Sequence, residues 1–558
     1  MLAVAAALLV AAAPDPAAAP PKGELLRFQF GQSKVFPGTV RDVVVYVPAQ
    51  YDGTTPACVH VNQDGLQFKA NEVFDRLIHS KKLPVLVGVF VGHGRVPPAT
   101  PDGQDRWNRS FEYDGLGDNY ARFLLTELLP HVETLSTPDG RRIVLSKSGN
   151  DRSIGGTSSG AIAAFTAAWE RPDSFSRVLS GIGTYVGIRG GHSYSTLIRK
   201  YEPKPLRVFL EDGENDLNIY AGDWWLANQM MQRSLQFAGY EHKHVWGKGK
   251  HNGEALTKLF PEAMEYLWQG WPEPVKAGRG SPDLQKLLLP GQGWEVVGSG
   301  YGFAEGPASN SAGEVVFCDV PKGAIYKVGA DGKPAVWVRD SKRASGCAFG
   351  PDGRLFTAGP FGVIAYTPDG KPQPVADGFK GNDLVVLNNG TMFVTDPGDK
   401  KVWRVTPAGE KAVVDAGLGF ANGLTVTPDQ QFLLVADSRD HWLTSFRITP
   451  DGALDAKQKY THLHLPDSAA DAHADGVRCD RDGQVYVATR LGVQVCDQPG
   501  RVHCILPTPN RECSNLCFGG PNRDVLYVTA KDAVYRRKVG AVGADPAGKP
   551  VKPPKPGL

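Results

Sequence analysis

No charge of one sign dominates this chain of 558 residues. Its 61 Lys and Arg stand against 59 Asp and Glu, a net charge of +2, so nothing in bulk electrostatics draws it to nucleic acid or to an anionic membrane. Small or neutral molecules are the expected partners. Cysteine is scarce, with eight residues, and no CxxC pair occurs, which argues against a structural zinc site. Long apolar runs are missing as well: only Met1 to Ala13 is almost unbroken Ala, Leu and Val, too short to span a bilayer. Gly and Pro together make up about 19% of the chain, above the roughly 12% of an average protein and below the level of a low-complexity chain. A folded, turn-rich protein follows.

The apolar start, followed by Pro14 and the small residues Ala17, Ala18 and Ala19, reads as a secretory leader over residues 1–22, although no basic residue precedes it. The alternative is an inert Ala-rich tail. Export to the periplasm or the extracellular space is the expectation. In an exported protein Cys496 and Cys504, across a short hairpin, form the easiest disulfide to imagine; the alternative is free buried thiols on strands.

Length alone allows about 3.7 domains, fewer if they are large. From about Leu26 to Trp271 strand-like runs such as Val43–Val47, Leu86–Phe90 and Leu206–Leu210 alternate with helix-like ones over Tyr120–Val132 and Trp224–Phe237. That alternation predicts an αβα domain over residues 23–271 with a mostly parallel sheet. The aperiodic, Gly- and Pro-rich stretch that begins at Gly270 supplies a linker, residues 272–284. Beyond it one phrase recurs about every 40 residues, as GEVVFCD from Gly313, GRLFTAG from Gly353, GTMFVTD from Gly390, QFLLVAD from Gln431, GQVYVAT from Gly483 and DVLYVTA from Asp524. Six copies predict a six-bladed β-propeller over residues 285–540, followed by a Pro/Lys-rich tail over 541–558.

Gly156-Thr157-Ser158-Ser159-Gly160 has the G-x-S-x-G pattern of a nucleophile elbow, in which a strained strand-to-helix turn exposes the serine and aims backbone N–H groups, Ser159's among them, at an oxyanion. Ser158 is the candidate nucleophile. An acid and then a histidine should follow, each after a later strand. Asp216 and His251 fill those places, with Glu211, Asp212, Glu214 and Asp223 as competing acids. Acyl transfer to water is the implied reaction. Trp224 and Trp225 could wall the site for an aromatic acyl group or a sugar, but their helical spacing favours core.

This half resembles the α/β-hydrolase esterases of the enterochelin-esterase-like, feruloyl, acetylxylan and esterase D group. The resemblance rests on GTSSG at Ser158, GENDLN around Asp216, GKGKHNG around His251 and Asn62-Gln63-Asp64-Gly65. It implies that Gly65 or Leu66 supplies the second oxyanion N–H. It also implies that Arg109-Ser110-Phe111-Glu112-Tyr113 shapes the pocket, with Arg109 and Glu112 as substrate contacts or, equally, as a surface ion pair.

In the second half, the position eight to ten residues before each β-run holds Glu305, Ser345, Asn382, Asn422, Asp475 and Ser514 in turn. Each carries a side-chain oxygen, and each begins an innermost strand facing the propeller axis. Turn preference for Ser, Asn and Asp explains part of this, and explains Glu305 poorly. Glu305, Asn382, Asn422 and Asp475 form an all-oxygen set suited to a divalent cation, calcium first, with magnesium, manganese or zinc as alternatives. A cation there would polarise a lactone or ester carbonyl while Asp475 activates water. The phrases AEGP, GNDLVV, FANGLTVTPD and ADGVRCDRDG around those four residues resemble the gluconolactonase and regucalcin propeller family over about Gly298 to Tyr535. The resemblance implies a metal-dependent lactonase with Asp475 as base. Lys380 stands where some members carry Arg, so the carried-over substrate contact is altered, and His473 is read as a loop residue.

Together these readings predict an exported ester hydrolase fused to a lactonase propeller, acting on carbohydrate-linked esters or sugar lactones. The rivals are an esterase with a polysaccharide-docking propeller, a lactonase with an inactive esterase half, and a non-enzymatic scaffold.

Overall fold

The computed structural model describes residues 19–557, so the leader read over residues 1–22 lies, up to residue 18, outside the described residues. The chain divides into two compact units. One holds the described residues up to Ile198 with Pro203–Arg279, and the other holds Arg199–Glu202 with the residues from Gly280 on.

The first unit is built on one sheet of eight strands, β1 (Glu24–Phe30), β2 (Arg41–Val47), β3 (Cys58–Gln63), β4 (Leu86–Val91), β5 (Arg152–Thr157), β6 (Arg177–Gly181), β7 (Arg207–Gly213) and β8 (Glu241–Gly247). Their spatial order is β1-β2-β4-β3-β5-β6-β7-β8. β1 with β2 and β2 with β4 are antiparallel; every later pair is parallel. β3 to β6 are buried along their whole length, as parallel strands covered on both faces must be. The helices are α1 (Ala70–His79), α2 (Ser159–Glu170), α3 (Trp224–Phe237) and α4 (Glu254–Trp268). Phe74 of α1 and Phe260 of α4 meet Phe90 and Phe209 of the sheet in one core. The helix expected over Tyr120–Val132 is present but interrupted, with a π turn at Leu124–Leu128 between Asn119–Phe123 and Leu129–Val132. Pro130 has no N–H to return to the preceding turn, and the ladder loosens there.

The second unit is all β apart from a short N-terminal helix, Pro282–Leu287. Its first repeat comprises β9 (Glu295–Ser309), β10 (Val315–Asp319), β11 (Ala324–Val328) and β12 (Pro334–Val338). The first strands of the following repeats are β13 (Gly346–Phe349), β14 (Leu384–Val386), β15 (Ala421–Val426), β16 (Val477–Cys479) and β17 (Asn515–Gly519), and the last strand is β18 (Val525–Lys538).

These strands do not form the six separate blades that the repeat count predicts. They form five sheets in a propeller arrangement, four of four strands and one of six in the order β12-β11-β10-β9-β18-β17. The reason lies in two long strands. β9 pairs with β10 on one side and with β18 on the other, through register shifts that bend it without ending the ladder. First and last repeats are thereby merged. Residues beyond 540, read as a tail, run along this unit: the Ala544 N–H donates to Cys479 O at 3.0 Å and the Val551 N–H to Pro428 O at 2.8 Å.

All eight cysteines are free, and only Cys513 is less than fully buried. Of the two alternatives, buried thiols are found; Cys496 and Cys504 are not bridged, and a register shift separates their strands at Cys496.

Candidate functional site

Ser158 sits between the end of β5 and the start of α2 with φ 56° and ψ −124°, a conformation that costs a non-glycine residue roughly 1–3 kcal/mol. It is held there from both sides: its N–H donates to Gly181 O at 3.0 Å, and its carbonyl accepts from the Thr184 N–H at 3.2 Å. The flanking glycines are required by close approach. A Cβ on Gly156 would lie 2.7 Å from the Gly160 carbonyl carbon, and one on Gly160 3.0 Å from Gln63 Cβ. The turn lifts the serine side chain out of the sheet edge.

That side chain meets His251. Ser158 Oγ lies 2.8 Å from His251 Nε2 and 3.3 Å from Thr184 Oγ1. The other ring nitrogen, Nδ1, is 2.5 Å from Asp216 Oδ1, which also accepts the Leu217 N–H at 2.6 Å. Burial opposes ionisation of Asp216, but hydrogen bonds from His251 and Asp212 hold its carboxyl below the usual carboxylate range. Asp212 is pushed up to about 9 by burial and then by its hydrogen bond to Asp216. At neutral pH it is therefore a neutral acid that donates to Asp216.

The remaining competitors for the acid position are engaged elsewhere. Glu211 is buried and pushed up to about 7, first by burial and then by Asp216. Glu214 pairs with Lys248 at 3.6 Å, and Asp223 caps α3 by accepting the Leu226 N–H at 3.0 Å. Trp224 is buried, as helical spacing favours, and its ring stands edge-on to His251 at 5.7 Å. Trp225 packs against Trp246 instead, at 5.5 Å.

Two carried-over assignments change. The Gly65 N–H donates to Val91 O at 3.1 Å and so has no capacity for an oxyanion. Among the described residues no acceptor takes the N–H of Leu66 or of Ser159. Glu112 is neither a substrate contact nor half of a surface pair. Its side chain is fully buried with that of Arg41, 2.7 Å away, and it also accepts the Gly94 N–H at 3.1 Å. Arg109 grips Asp64 instead, at 2.9 and 2.7 Å, with His93 at 3.5 Å on the same carboxylate. The charge of Arg109 is thereby spent on the loop that carries Leu66.

In the second unit five of the six oxygen-bearing positions stand within two residues of the starts of the first strands, Glu305 lies well inside β9, and several are tied in by hydrogen bonds. Ser514 Oγ donates to Ala304 O at 3.0 Å, Ser345 Oγ to Asn382 O at 2.8 Å, Asn382 Nδ2 to Asn422 Oδ1, and Asn422 Nδ2 to Ser438 Oγ at 2.9 Å. Four of the six are followed by glycine, because the next repeat leaves no room for a side chain: a Cβ on Gly306 would lie 2.2 Å from Ser345 O, and one on Gly423 2.1 Å from Asp475 O. The two exceptions are residues that the sequence reading passed over. Asp383 follows Asn382, and Asn515 follows Ser514 and donates to Glu305 Oε2 at 3.1 Å. A break in the oxygen-then-glycine pattern was the signal.

Three buried acids therefore share this ring. Burial pushes Glu305 up to about 7. Asp475 is raised well above the carboxylate range by burial and by the charges of Glu305 and Asp383. Burial also raises Asp383, against the opposing pull of Arg478, whose Nη1 is 3.7 Å away. Among the described residues no three His, Cys, Asp or Glu side chains gather as a metal cluster; the donor set here has two acids and two amides. Lys380, two residues before Asn382, is exposed, and His473 is an exposed loop residue with φ 47°.

A family model described as "Putative esterase" matches residues 33–266, and one described as "SMP-30/Gluconolactonase/LRE-like region" matches residues 303–532. The chain is 25% identical to a gluconolactonase of Zymomonas mobilis over 308 residues, 47% of this chain and 86% of that protein. It is 24% identical to pentonolactonase XacC of Haloferax volcanii over 188 residues, 30% of this chain and 62% of that protein. Among solved structures it is similar to enterochelin esterase from Shigella flexneri, 19% identical with a TM-score of 0.35, covering 45% of this chain and 60% of that one. The first half is thus similar to an esterase family and the second to the gluconolactonase family, both families of hydrolases that act on ester or lactone bonds.

Proposed function

We propose that the protein is an exported, two-site hydrolase whose first unit is an α/β-hydrolase esterase and whose second is a metal-assisted lactonase, with carbohydrate-linked esters and sugar lactones as the substrate class. The observation that carries the first half is the continuous hydrogen-bonded path from Asp216 through His251 to Ser158. Ser158 Oγ adds to the ester carbonyl as its proton passes to His251 Nε2, and Asp216 keeps the ring oriented and stabilises the imidazolium. The N–H groups of Leu66 and Ser159 donate to the oxyanion. His251 then returns the proton to the departing alkoxide. Water adds to the acyl-serine by the same exchange, releasing the acid and restoring Ser158.

For the second half, the chemistry of the donor set supports a divalent cation, calcium before magnesium, manganese or zinc. Buried carboxylates that repel one another are relieved by a cation, and carboxylate and amide oxygens are the ligands that hard cations take. Glu305, Asn382, Asn422 and Asp475 would hold it. Bound there, it would supply Lewis acidity toward a lactone carbonyl. Asp475 would accept a proton from the water that adds to that carbonyl and return it to the ring oxygen as the acyl C–O bond breaks, and Lys380, which is exposed, would meet a polar group of the ring substrate. Export rests on the apolar start alone; among the described residues no helix is long and apolar enough to cross a membrane.

The deciding experiment measures ester and lactone hydrolysis by the full chain and its Ser158→Ala and Asp475→Asn variants. Loss of ester hydrolysis alone in the first variant and of lactone hydrolysis alone in the second is expected. Loss of both in either variant would contradict two independent sites.

A further inference from the structure

The second unit places two thiols in contact. Cys318, on β10, and Cys347, on β13, are both fully buried, and their sulfurs are 3.3 Å apart. That separation is shorter than two sulfurs in ordinary van der Waals contact and about 1.3 Å longer than a disulfide bond. The two residues lie in different repeats, 29 positions apart in the chain. Among the described residues no second pair of sulfurs lies within hydrogen-bonding reach, including the Cys496 and Cys504 pair that the sequence suggests.

We propose that Cys318 and Cys347 are a cross-linking site, closed to a disulfide when the chain folds in the presence of a low-molecular-weight disulfide such as oxidised glutathione. One cysteine thiolate attacks a glutathione sulfur, forming a mixed disulfide and releasing one glutathione thiolate. The second cysteine thiolate attacks the mixed disulfide and releases the other. In sum two cysteine thiols and one oxidised glutathione give one protein disulfide and two reduced glutathiones, so electrons and protons balance.

Burial sets the time of the reaction. In the folded unit the Cys347 thiol is pushed well above its usual range, by its hydrogen bond with Cys318 first and then by burial, and buried thiols of that kind are inert. Exchange must precede closure of the core, after which the same burial shields the bond from reductants. The cross-link would also brace the lactone site. Cys318 is the direct cross-strand partner of Glu305 on β9, and Cys347 follows Ser345 by two residues at the next ring position. The bond would therefore tie the strand behind Glu305 to the adjoining repeat.

The test uses the full chain, reduced in denaturant, refolded with oxidised and reduced glutathione, then unfolded without reductant in denaturant that contains iodoacetamide. Six alkylated cysteines are expected rather than eight. Tryptic peptides 287–322 and 344–354 should appear joined, about 2 Da below their summed mass. Eight alkylated cysteines, or a joined pair other than these peptides, overturns the proposal. Should the refolded yield be insoluble, protein secreted into an oxidising compartment and purified without reductant gives the same reading. Cys318→Ser and Cys347→Ser should each carry seven alkylated cysteines; five in either variant means that another pair closes, which also overturns it.

Discussion

Asp212, on β7, and Asp216, in the loop after it, lie four positions apart, yet their environments shift their carboxyls in opposite directions. Asp216 alone reaches the histidine. Because burial and then Asp216 push Asp212 up to about 9 from an ordinary 3.8, its contribution to stability is fully present below pH 3.8 and is lost as pH rises through 9. Asp212→Asn replaces the neutral acid by a neutral amide that can still donate to Asp216. It should keep ester hydrolysis at neutral pH near that of the unsubstituted protein and flatten the fall in the thermal midpoint between pH 4 and 9; an unchanged slope would mean that Asp212 is ionised. Ser158→Ala should reduce kcat for ester hydrolysis by about 10⁴-fold or more without shifting the thermal midpoint. Motif and chain order together point to Ser158, His251 and Asp216, each within hydrogen-bonding distance of the next. The engagement of Gly65 was not legible in the sequence, since the carbonyl that occupies its N–H belongs to Val91, on another strand. Nor was that of Glu112, whose partner Arg41 is 71 positions away.

Elements explain why small residues recur where they do. β5 and α2 approach so closely at Gly156 that a methyl group there meets backbone, which cannot step aside. Gly156→Ala should destabilise the first unit by about 1–3 kcal/mol, read as a lower denaturation midpoint with loss of ester hydrolysis. Gly423→Ala is the counterpart in the second unit. Its Cβ would fall 2.1 Å from the Asp475 carbonyl, displacing β15 from the ring, so lactone hydrolysis should fall sharply while ester hydrolysis persists. The β-runs themselves were plain from their period, and each ring position was found by counting back from them. The number of sheets was not, because joining β9 to β18 depends on pairing between the two ends of the propeller sequence, about which a local repeat carries no information. Likewise a count of cysteines along a hairpin favoured Cys496 with Cys504, whereas contact between repeats brings Cys318 to Cys347.

At the scale of the whole molecule, the proposed ester and lactone chemistries belong to separate units. The first would rely on a strained serine beside a histidine, and the second on buried acids that a cation would relieve. Their sensitivities should therefore differ. A chelator should abolish lactone hydrolysis and lower the midpoint of the second unit's unfolding transition, since a ligand that binds only the folded state stabilises it. It should leave ester hydrolysis unchanged. The most direct measurement is the initial rate on an activated acetate ester and on an aldonolactone, with and without chelator, for the unsubstituted chain and Ser158→Ala. Two working sites predict a crossed pattern: Ser158→Ala loses only the chelator-insensitive ester rate, and chelator removes only the lactone rate. An ester rate that survives Ser158→Ala and vanishes with chelator would contradict it, and would move the whole activity to the propeller.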